Sequence, residues 1–396
     1  MAAISPPKYV YNVLHALEAA GFEAFMVGGC VRDALRGVRP SDWDICTSAL
    51  PQQVSVLFPK TYPTGIAHGT VTVISAAHPI EVTTFRADGD YLDHRRPESV
   101  EFVGSLAADL QRRDFTVNAM ALSSRGELSD PFGGREDLQK KTIRCVGDPE
   151  RRFGEDALRM LRALRFSAVL GFCIEDKTYS AIKKCAGQTR ALAAERISAE
   201  LSKTLCSKRP QLAGDMLELG LLCRVLEKTQ RSVELSPLSR LPRAAELRWA
   251  GFCAALQREG IISEAEVFLR ALRLDSSTIK NASSGAAAAL SGAPETDADW
   301  KRLSSRIGDE GCFCAAAAAQ VLGRSDAVSA WRRVSKSGDC RSIAGLDISG
   351  GELMALGLRG AEIGAALERL LGHVIEQPYD NKRDILIKKA SELCGG

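Results

Sequence analysis

The chain has 396 residues, a formal net charge of +3 at pH 7, and a composition that is 45% hydrophobic and 26% charged. These values are ordinary for a soluble protein with room for two or more domains, and they exclude a chain that is uniformly basic or intrinsically disordered. Any surface that binds nucleic acid must therefore come from local clusters of lysine and arginine.

The cysteines and histidines give no sign of a metal centre. The twelve cysteines include no CxxC pair, and the five histidines show no zinc-binding spacing. We therefore expect no zinc, and free thiols in a reducing compartment. Nothing resembles a signal peptide, and no apolar run is long enough to span a membrane. The sequence predicts a cytoplasmic protein with no membrane partner.

The first predicted elements are a helix over residues 8–20 and a short buried strand that ends at Gly28 and Gly29. Residues 30–35 are then predicted to form one or two helical turns. A strand that enters a helix through glycines can hold phosphate, because the backbone approaches the ligand closely and free N–H groups face it. Arg32 supplies a cation at the same place.

A second strand is predicted after a turn at residues 37–41, and it carries Asp42 and Asp44. Alternate residues of a strand share a face, so these two carboxylates lie about 7 Å apart while Trp43 and Ile45 face the core. Mg²⁺ typically binds one or two carboxylates together with substrate phosphates. The pair predicts a magnesium site, although an Asp-x-Asp sequence alone is more often a solvated strand end.

The order of these features, GGCVRDALRG followed by DWDICT, resembles the nucleotidyltransferase superfamily typified by DNA polymerase β. Within it, the pattern is similar to the class II branch of tRNA CCA-adding enzymes and bacterial poly(A) polymerases. The resemblance implies an α+β fold, with a polymerase-β-like nucleotidyltransferase head followed by an all-α neck, body and tail. We expect the head at residues 1–145, the neck at 146–210, the body at 211–325 and the tail at 326–396.

The next segment is predicted to contain a helix that begins at Pro51 and two strands at 69–76 and 79–86, joined by a turn near Ala77 and His78. Glu81 lies on the second strand, where its position resembles that of the third metal-binding carboxylate of polymerase-like sites. An exposed strand residue is the equal alternative, because register is not fixed by sequence. Residues 87–98, ADGDYLDHRRPE, are predicted to form a mobile loop.

Two further segments match motifs of the family. LQRRDFTVNAMAL at 110–122 is similar to its RRDFTxNAxA motif, and it places Arg113 beside Asp114 and Asn118 at a short helix. These residues offer a cation for triphosphate oxygens and polar groups for a ribose, although an ion-paired helix start is the plainer interpretation. DPFGGREDL at 130–138 is predicted to be a turn and a helix that close the catalytic domain.

From about residue 145 the chain is predicted to be helical, beginning with one strong helix over 153–172. Its buried side is apolar and consists of Leu158, Leu161, Leu164 and Ala168. Its polar residues recur every third position and are Asp156, Arg159, Arg162 and Arg165. Such a stripe is typical of a solvated helix face, but a phosphate-binding domain precedes it here.

The run EDALR at 155–159 is similar to the family's ExDxxR-type motif. Ionised aspartate only accepts hydrogen bonds and arginine only donates them. Cytosine and adenine present an amino donor beside a ring-nitrogen acceptor, which satisfies Asp156 and Arg159, whereas uracil and guanine present the opposite order. Each unpaired buried polar group costs about 1–3 kcal/mol, so the pair is predicted to reject UTP and GTP. The resemblance implies that Arg162 and Arg165 support the nucleotide.

The remaining helices carry fewer signals. ERISAELSKTLCSKRP at 195–210 matches another family element, a helix with Glu195 and Arg196 near its start, and this helix is predicted to brace the helix over 153–172. The tail carries a Leu-Gly-x-x-Gly sequence and has Asn381 before a final helix, like the family's tail. The tail is interpreted as an RNA-binding helical element, and a purely structural helical bundle is the alternative.

Together the resemblances imply a tRNA nucleotidyltransferase that adds CMP, CMP and AMP to the 3′ end of tRNA. The implied partners are CTP, ATP and a tRNA held at its 3′ end and elbow, and the implied cofactor is Mg²⁺ at Asp42 and Asp44. Gly29, Arg32 and Arg113 would hold the triphosphate.

Several other activities share these motifs: CC addition, A addition, poly(A) synthesis, and RNA binding without catalysis. The acids and bases of the loop at 87–98, namely Asp88, Asp90, Asp93, Arg95 and Arg96, favour full or A-adding activity over CC addition. The lack of a strongly basic C-terminal extension disfavours poly(A) synthesis, and the intact Asp42 and Asp44 disfavour a silent RNA-binding module.

Overall fold

The computed structural model of the protein describes residues 6–88, 100–226 and 231–394. The chain forms two compact units, Met1–Glu200 with Met216–Arg224 and Leu201–Asp215 with Val225–Gly396. The finer division into head, neck, body and tail stays a prediction. Most of the predicted loop at 87–98 lies outside the described residues, but its first two residues belong to a strand, so the predicted start of the loop at residue 87 is wrong.

The first unit is built from a mixed sheet and the helices that cover it. Its elements are α1 (Lys8–Ala19), β1 (Ala24–Val27), α2 (Gly29–Leu35), β2 (Asp44–Thr47), α3 (Pro51–Leu57), β3 (Thr61–Gly65), β4 (Thr70–Ser75), β5 (His78–Thr84), β6 (Arg86–Asp88), β7 (Val100–Phe102), α4 (Leu106–Gln111), β8 (Ala121–Leu122), β9 (Leu128–Ser129), α5 (Gly134–Lys140), β10 (Thr142–Ile143), α6 (Pro149–Glu155), α7 (Leu158–Leu170), β11 (Cys173–Ile174), α8 (Asp176–Cys185) and α9 (Ala194–Leu205). The helix α9 continues into the second unit.

Seven strands form the main sheet in the order β3-β4-β5-β2-β1-β8-β9. The strands β2 and β5 run parallel and place Asp44 directly opposite Glu81. The predicted hairpin of β4 and β5 is present, but its turn consists of Ala76 and Ala77, which adopt positive φ angles of 46° and 65°. The predicted turn was one residue late, because His78 already pairs with Ser75 in the ladder.

Apolar periodicity explains how α1 covers this sheet. Its buried residues are Val10, Val13, Leu14 and Leu17, as the sequence predicted. A further core cluster joins the centre of the sheet to α4 and consists of Val27, Cys46, Phe85, Leu110 and Ala121. The strand ends that carry Gly28 and Asp44 are thereby fixed on a rigid support.

The predicted single helix over 153–172 is wrong, because it is two helices that break at Asp156. Asp156 has extended backbone angles, φ −144° and ψ 105°. Its carboxylate accepts the backbone N–H of Leu158 at 3.0 Å and so satisfies a donor at the start of α7. Asp156 therefore lies outside the helical row of arginines. The strand β11, which pairs in parallel with β10, departs from the predicted all-helical chain after residue 145.

The second unit is helical in the residues that the structure describes. Its elements after α9 are α10 (Leu212–Glu218), which the two units share, α11 (Ala245–Arg258), α12 (Ala265–Ala271), α13 (Ser276–Leu290), α14 (Asp297–Val321), α15 (Ala327–Lys336), α16 (Gly350–Ala355), α17 (Ala361–Glu376) and α18 (Arg383–Cys394). Asn381 precedes the final helix as predicted, where it accepts the N–H of Asp347 and donates to the carbonyl of Gly345.

Eleven of the twelve cysteines are free thiols, in agreement with the sequence. None of the helices in the described ranges is both long enough and apolar enough to pass through a lipid bilayer.

Candidate active site

A cleft of about 600 Å³ lies in the first unit, where β1 meets α2. Its charged lining consists of Arg32, Arg86, Arg112, Arg113, Arg159, Arg162, Arg196, Asp44, Asp114 and Asp156. Seven arginines against three aspartates give this cleft a strong local positive charge in a chain of nearly balanced charge. The arrangement suits a polyanionic ligand such as a triphosphate.

The predicted glycine turn forms one wall of the cleft. Gly28 has φ 80° and ψ −129°, a conformation that favours glycine, and a Cβ there would lie 3.1 Å from an Nη of Arg113. Gly29 begins α2, and Arg32 follows one turn later with only 8% of its surface exposed. Arg32 donates to Asn118 Oδ1 at 2.6 Å and to the carboxylate of Asp33. The turn thus brings a close backbone and a fixed guanidinium to the same wall.

Of the two predicted metal-binding acids, Asp44 lies on β2 and Asp42 does not, so the prediction that one strand carries both is wrong. Asp44 is the first residue of β2 and lines the cleft, whereas Asp42 precedes the strand and is exposed. Trp43 and Ile45 are buried, as the alternation predicted. Burial raises the pKa of Asp44 to about 6, and the charges of Glu81 and Asp42 act in the same direction while Arg113 opposes them. Negative charge is crowded here in a way that a cation would relieve.

Glu81 lies beside Asp44 in the sheet but does not line the cleft in the described structure. No group of three or more His, Cys, Asp or Glu side chains within the described ranges is arranged to hold a metal ion. The position of Glu81 next to Asp44 is thus as expected from the sequence, while a role as a metal ligand stays a prediction.

One buried acid that the sequence did not single out holds two of the cleft arginines. Asp109 is fully buried on α4 and accepts hydrogen bonds from Arg112 at 2.8 and 3.0 Å and from Arg113 at 3.0 Å. Burial alone would raise the pKa of Asp109, but the two guanidinium groups lower it. The predicted triphosphate ligand Arg113 is therefore held from behind by a buried carboxylate.

Asp114 links the RRDFT segment to α7. Its carboxylate accepts from Arg162 Nε at 2.8 Å, from Asn118 Nδ2 at 3.2 Å and from the N–H of Phe115. Burial opposes ionisation, yet Arg162 and these hydrogen bonds lower the pKa of Asp114 to about 2. Arg162 is thus placed on the cleft by an ionised partner.

Asp156 lines the cleft with a partner on α9. Arg196 donates to both carboxylate oxygens of Asp156, at 2.8 and 3.2 Å. The expectation that α9 braces this region is confirmed by that contact. An ionised carboxylate offers about four acceptor positions, of which Arg196 and the N–H of Leu158 use three.

Arg159 also lines the cleft, and its backbone N–H donates to the carbonyl of Asp156 at 3.0 Å. Its guanidinium donates to Glu155 Oε2 at 2.6 Å, to the carbonyl of Arg152 at 3.0 Å and to the carbonyl of Arg112 at 3.0 Å. The two residues predicted to select the base thus share one cleft, where the Asp156 side chain binds Arg196 and the Arg159 side chain binds Glu155.

Arg165 does not line the cleft in the described structure. Its guanidinium lies against the ring of Phe166, with Cζ 3.7 Å from the ring centroid, and it pairs with Glu200. The predicted contact between Arg165 and a nucleotide stays a prediction.

Comparisons with known proteins agree with this geometry. Residues 24–144 match the family model described as "Poly A polymerase head domain", and residues 171–231 match "Probable RNA and SrmB- binding site of polymerase A". A CCA-adding enzyme of Geobacillus stearothermophilus is 43% identical over 285 residues, which cover 70% of each chain. Another, of Levilactobacillus brevis, is 36% identical over 391 residues, which cover 96% of each chain.

The chain belongs to the CCA-adding enzyme family. A solved structure of the Bacillus stearothermophilus CCA-adding enzyme in complex with CTP has a TM-score of 0.83 at 31% identity and covers 98% of both chains. A Thermotoga maritima CCA-adding enzyme complexed with tRNA shares the fold, with a TM-score of 0.68 at 20% identity, 98% of this chain and 97% of the other. The α+β fold with a nucleotidyltransferase head and the enzyme class, a tRNA nucleotidyltransferase, are confirmed.

Four cleft residues of this CCA-adding enzyme family member were not found from the sequence: His68, Arg86, Arg112 and Phe166. His68 and Arg86 flank the hairpin of β4 and β5, and Arg86 donates to the carbonyl of His68. The predicted hairpin brings its two ends together, but the sequence does not show that these ends face the cleft. Arg112 was visible beside Arg113, but sequence does not reveal which of two adjacent arginines faces a ligand.

Proposed function

We propose that this chain completes the 3′ end of tRNA by adding C, C and A from CTP and ATP in the cleft of its first unit. The observation that carries the proposal is that Asp156 and Arg159 line the same cleft as Asp44 and the glycine turn. A base held at one wall would therefore place its triphosphate against the other, where the acids and arginines lie. A cytoplasmic location, where tRNA, CTP and ATP meet, is part of the same proposal.

Asp42 and Asp44 would hold Mg²⁺, whose hard charge matches carboxylate oxygens and phosphates. The raised pKa of Asp44 fits this assignment, because burial beside Glu81 and Asp42 leaves the carboxylate short of positive charge. When bound, the metal would lower the pKa of the tRNA 3′-hydroxyl and stabilise the pyrophosphate that leaves. The protein's part is to fix Asp44 on a strand and Asp42 just before it.

Arg32 and Arg113 would bind the triphosphate. Arg32 is anchored by Asp33 and Asn118, and Arg113 by Asp109, so neither guanidinium has to be ordered when the nucleotide arrives. Gly29 and Gly28 would let the phosphates approach the backbone. Arg162 would reach the same ligand from α7, with Asp114 as its fixed partner.

Asp156 and Arg159 would choose the base. Cytosine and adenine both carry an amino group. Asp156 would accept a hydrogen bond from it at the acceptor position that Arg196 and the N–H of Leu158 do not use. Arg159 would exchange one of its bonds to a backbone carbonyl for the ring nitrogen of the base. With uracil or guanine, an acceptor would face an acceptor and a donor would face a donor. Each mismatch would cost about 1–3 kcal/mol of binding free energy.

Related activities are distinguished by the product. An A-adding enzyme, a CC-adding enzyme and a poly(A) polymerase share this chemistry, and a matching family model is named for the head domain of poly(A) polymerase. CCA addition is favoured because the similar curated proteins quoted above carry that activity in their names at 36% and 43% identity.

The test uses the full chain with tRNA transcripts that end at the discriminator base, after C, or after CC. Each transcript is offered labelled CTP and ATP, singly and together, and products are sequenced. We expect the first transcript to gain CCA. A chelator should abolish the product, and added Mg²⁺ should restore it. Asp44→Asn should give no product. Asp176→Asn on the exposed start of α8 is the matched control and should act like the wild type. Long A tails, addition limited to CC or to A, or no product would overturn the proposal.

A further inference from the structure

Three guanidinium groups surround one aromatic ring at the cleft. Phe166 lies on α7, lines the cleft and is only 6% exposed. The Cζ atoms of Arg165, Arg162 and Arg32 lie 3.7, 5.4 and 5.5 Å from the ring centroid. All three distances are within the range at which a cation is attracted by the π electrons of a ring. Phe166 is therefore a contact that the three arginines share.

The arginines come from two separate elements and have different acidic partners. Arg32 on α2 pairs with Asp33, Arg162 on α7 pairs with Asp114, and Arg165 pairs with Glu200 on α9. Asp33 also pairs with Arg36, and Glu200 also lies 4.0 Å from Arg162. Like charges gathered at one place repel, so a group that attracts all three favours their common position.

An aromatic ring can attract all three guanidinium groups without competing for their hydrogen bonds. Its faces are negative, yet it accepts no strong hydrogen bond, so the N–H groups of the guanidinium remain directed at carboxylates and at a ligand. An aliphatic side chain of the same volume would fill the space but give the cations no attraction. The ring itself is fixed, because fully buried Phe115 packs edge-on against it, with centroids 5.7 Å apart and planes at 81°.

We propose that Phe166 is a positioning residue for nucleotide binding, whose ring holds Arg32 and Arg162 where they meet the triphosphate. This inference rests on the proposed function and adds a residue and a physical cause to it. Because the triphosphate is common to both substrates, the contribution of Phe166 is the same for CTP and ATP. It has no part in the choice of base, which lies with other residues of the cleft.

The test replaces Phe166 in the full chain with phenylalanines that carry one, two or three fluorine atoms. Fluorine withdraws electrons from the ring face and weakens cation attraction step by step, while the shape of the side chain changes little, so the protein still folds. KM and kcat are measured with CTP and with ATP at each step. The same series at Phe153, which is fully buried on α6 and is not among the described residues that line the cleft, is the control.

We expect KM to rise steadily along the Phe166 series, by about threefold to tenfold at the third fluorine, and equally for CTP and ATP. We expect kcat to stay within about twofold, the preference for CTP over UTP to stay unchanged, and the Phe153 series to be flat. A merely structural role would give no dependence on fluorine number.

A flat Phe166 series in an active enzyme would overturn this inference and leave the proposed function standing. A KM change that differs between CTP and ATP, or a fall in kcat at constant KM, would also overturn it. A wild type that transfers no nucleotide overturns the proposed function and this inference with it.

Discussion

Asp114 is held in its ionised form by its neighbours in the site. Its pKa is lowered from the ordinary 3.8 to about 2, because Arg162 and two hydrogen bonds outweigh the effect of burial. A lowered pKa in the folded state means that the folded protein prefers the ionised group, so this stabilisation is fully present above the unfolded value near pH 4. It is lost as the pH falls toward the folded value.

Asp114→Asn removes this pH dependence. We expect the difference in the free energy of unfolding between wild type and variant to shrink by about 2 kcal/mol as the pH falls from about 6 to about 2. Urea unfolding of both proteins across that range measures it. A difference that stays constant with pH would show that Asp114 is not held ionised by its neighbours.

Arg196 is the residue that fixes the orientation of Asp156, with bonds to both of its carboxylate oxygens. Arg196→Gln leaves the Asp156 carboxylate in place but frees it to rotate. We expect UTP to be incorporated more readily, by about threefold to tenfold relative to CTP, with most of the transfer rate kept. Arg196→Lys keeps the charge but loses the bidentate geometry, so its discrimination between UTP and CTP should lie between those of the wild type and Arg196→Gln. Unchanged discrimination in Arg196→Gln, measured as the ratio of kcat/KM values, would contradict this role.

At the residue scale, the sequence predicted which residues line the cleft better than it predicted the partners of those residues. Asp44, Arg32, Arg113, Asp156, Arg159 and Arg162 all line the cleft. The partners Asp109 and Arg196 and the ring of Phe166 depend on how α4, α7 and α9 pack, and a helical pattern does not state which neighbour its polar residues meet. The pairing of Asp156 with Arg196 joins residues forty positions apart.

Among the elements, strands and helices with clear periodicity were predicted well, and breaks inside them were not. The buried side of α7 and the face of α1 follow from apolar spacing. The break at Asp156 was missed because the apolar spacing continues across it, and only the local hydrogen bond from the N–H of Leu158 reveals it. The short strand β3 was missed because Pro63 and Gly65 are disfavoured in strands.

The contact between α13 and α14 allows a prediction about small residues. A Cβ on Gly285 would lie 2.5 Å from Cys314 Cβ and 2.7 Å from the backbone N of Ala315. Both distances are too short, so Gly285→Ala should force the helices apart and lower the free energy of unfolding by about 1–3 kcal/mol.

Thermal and urea unfolding measure this effect, and a second helical glycine is the control. Gly364 on α17 has no atom within 4 Å of its ideal Cβ position, so Gly364→Ala should be neutral or stabilise by about 0.5–1 kcal/mol. Equal effects of the two substitutions would show that the close approach of α13 and α14 is not required.

For the molecule as a whole, the net charge of +3 conceals a strongly uneven distribution. The cleft residues extend from Gly28 to Arg196, and all of them belong to the first unit. That unit contains the glycine turn, the acids at β2, the arginines and the pair that we propose faces the base. The central proposal is therefore that one cleft both activates the nucleotide and selects its base, through Asp156 and Arg159.

The most direct test of this claim is the kcat/KM of all four nucleoside triphosphates for the wild type and Asp156→Ala, on tRNA transcripts that lack part or all of CCA. We predict that the wild type uses CTP and ATP. Asp156→Ala should still transfer nucleotides, but its kcat/KM for UTP and GTP should rise by about tenfold to hundredfold relative to that for CTP and ATP. A variant that transfers nucleotides and keeps the wild-type discrimination would contradict the claim.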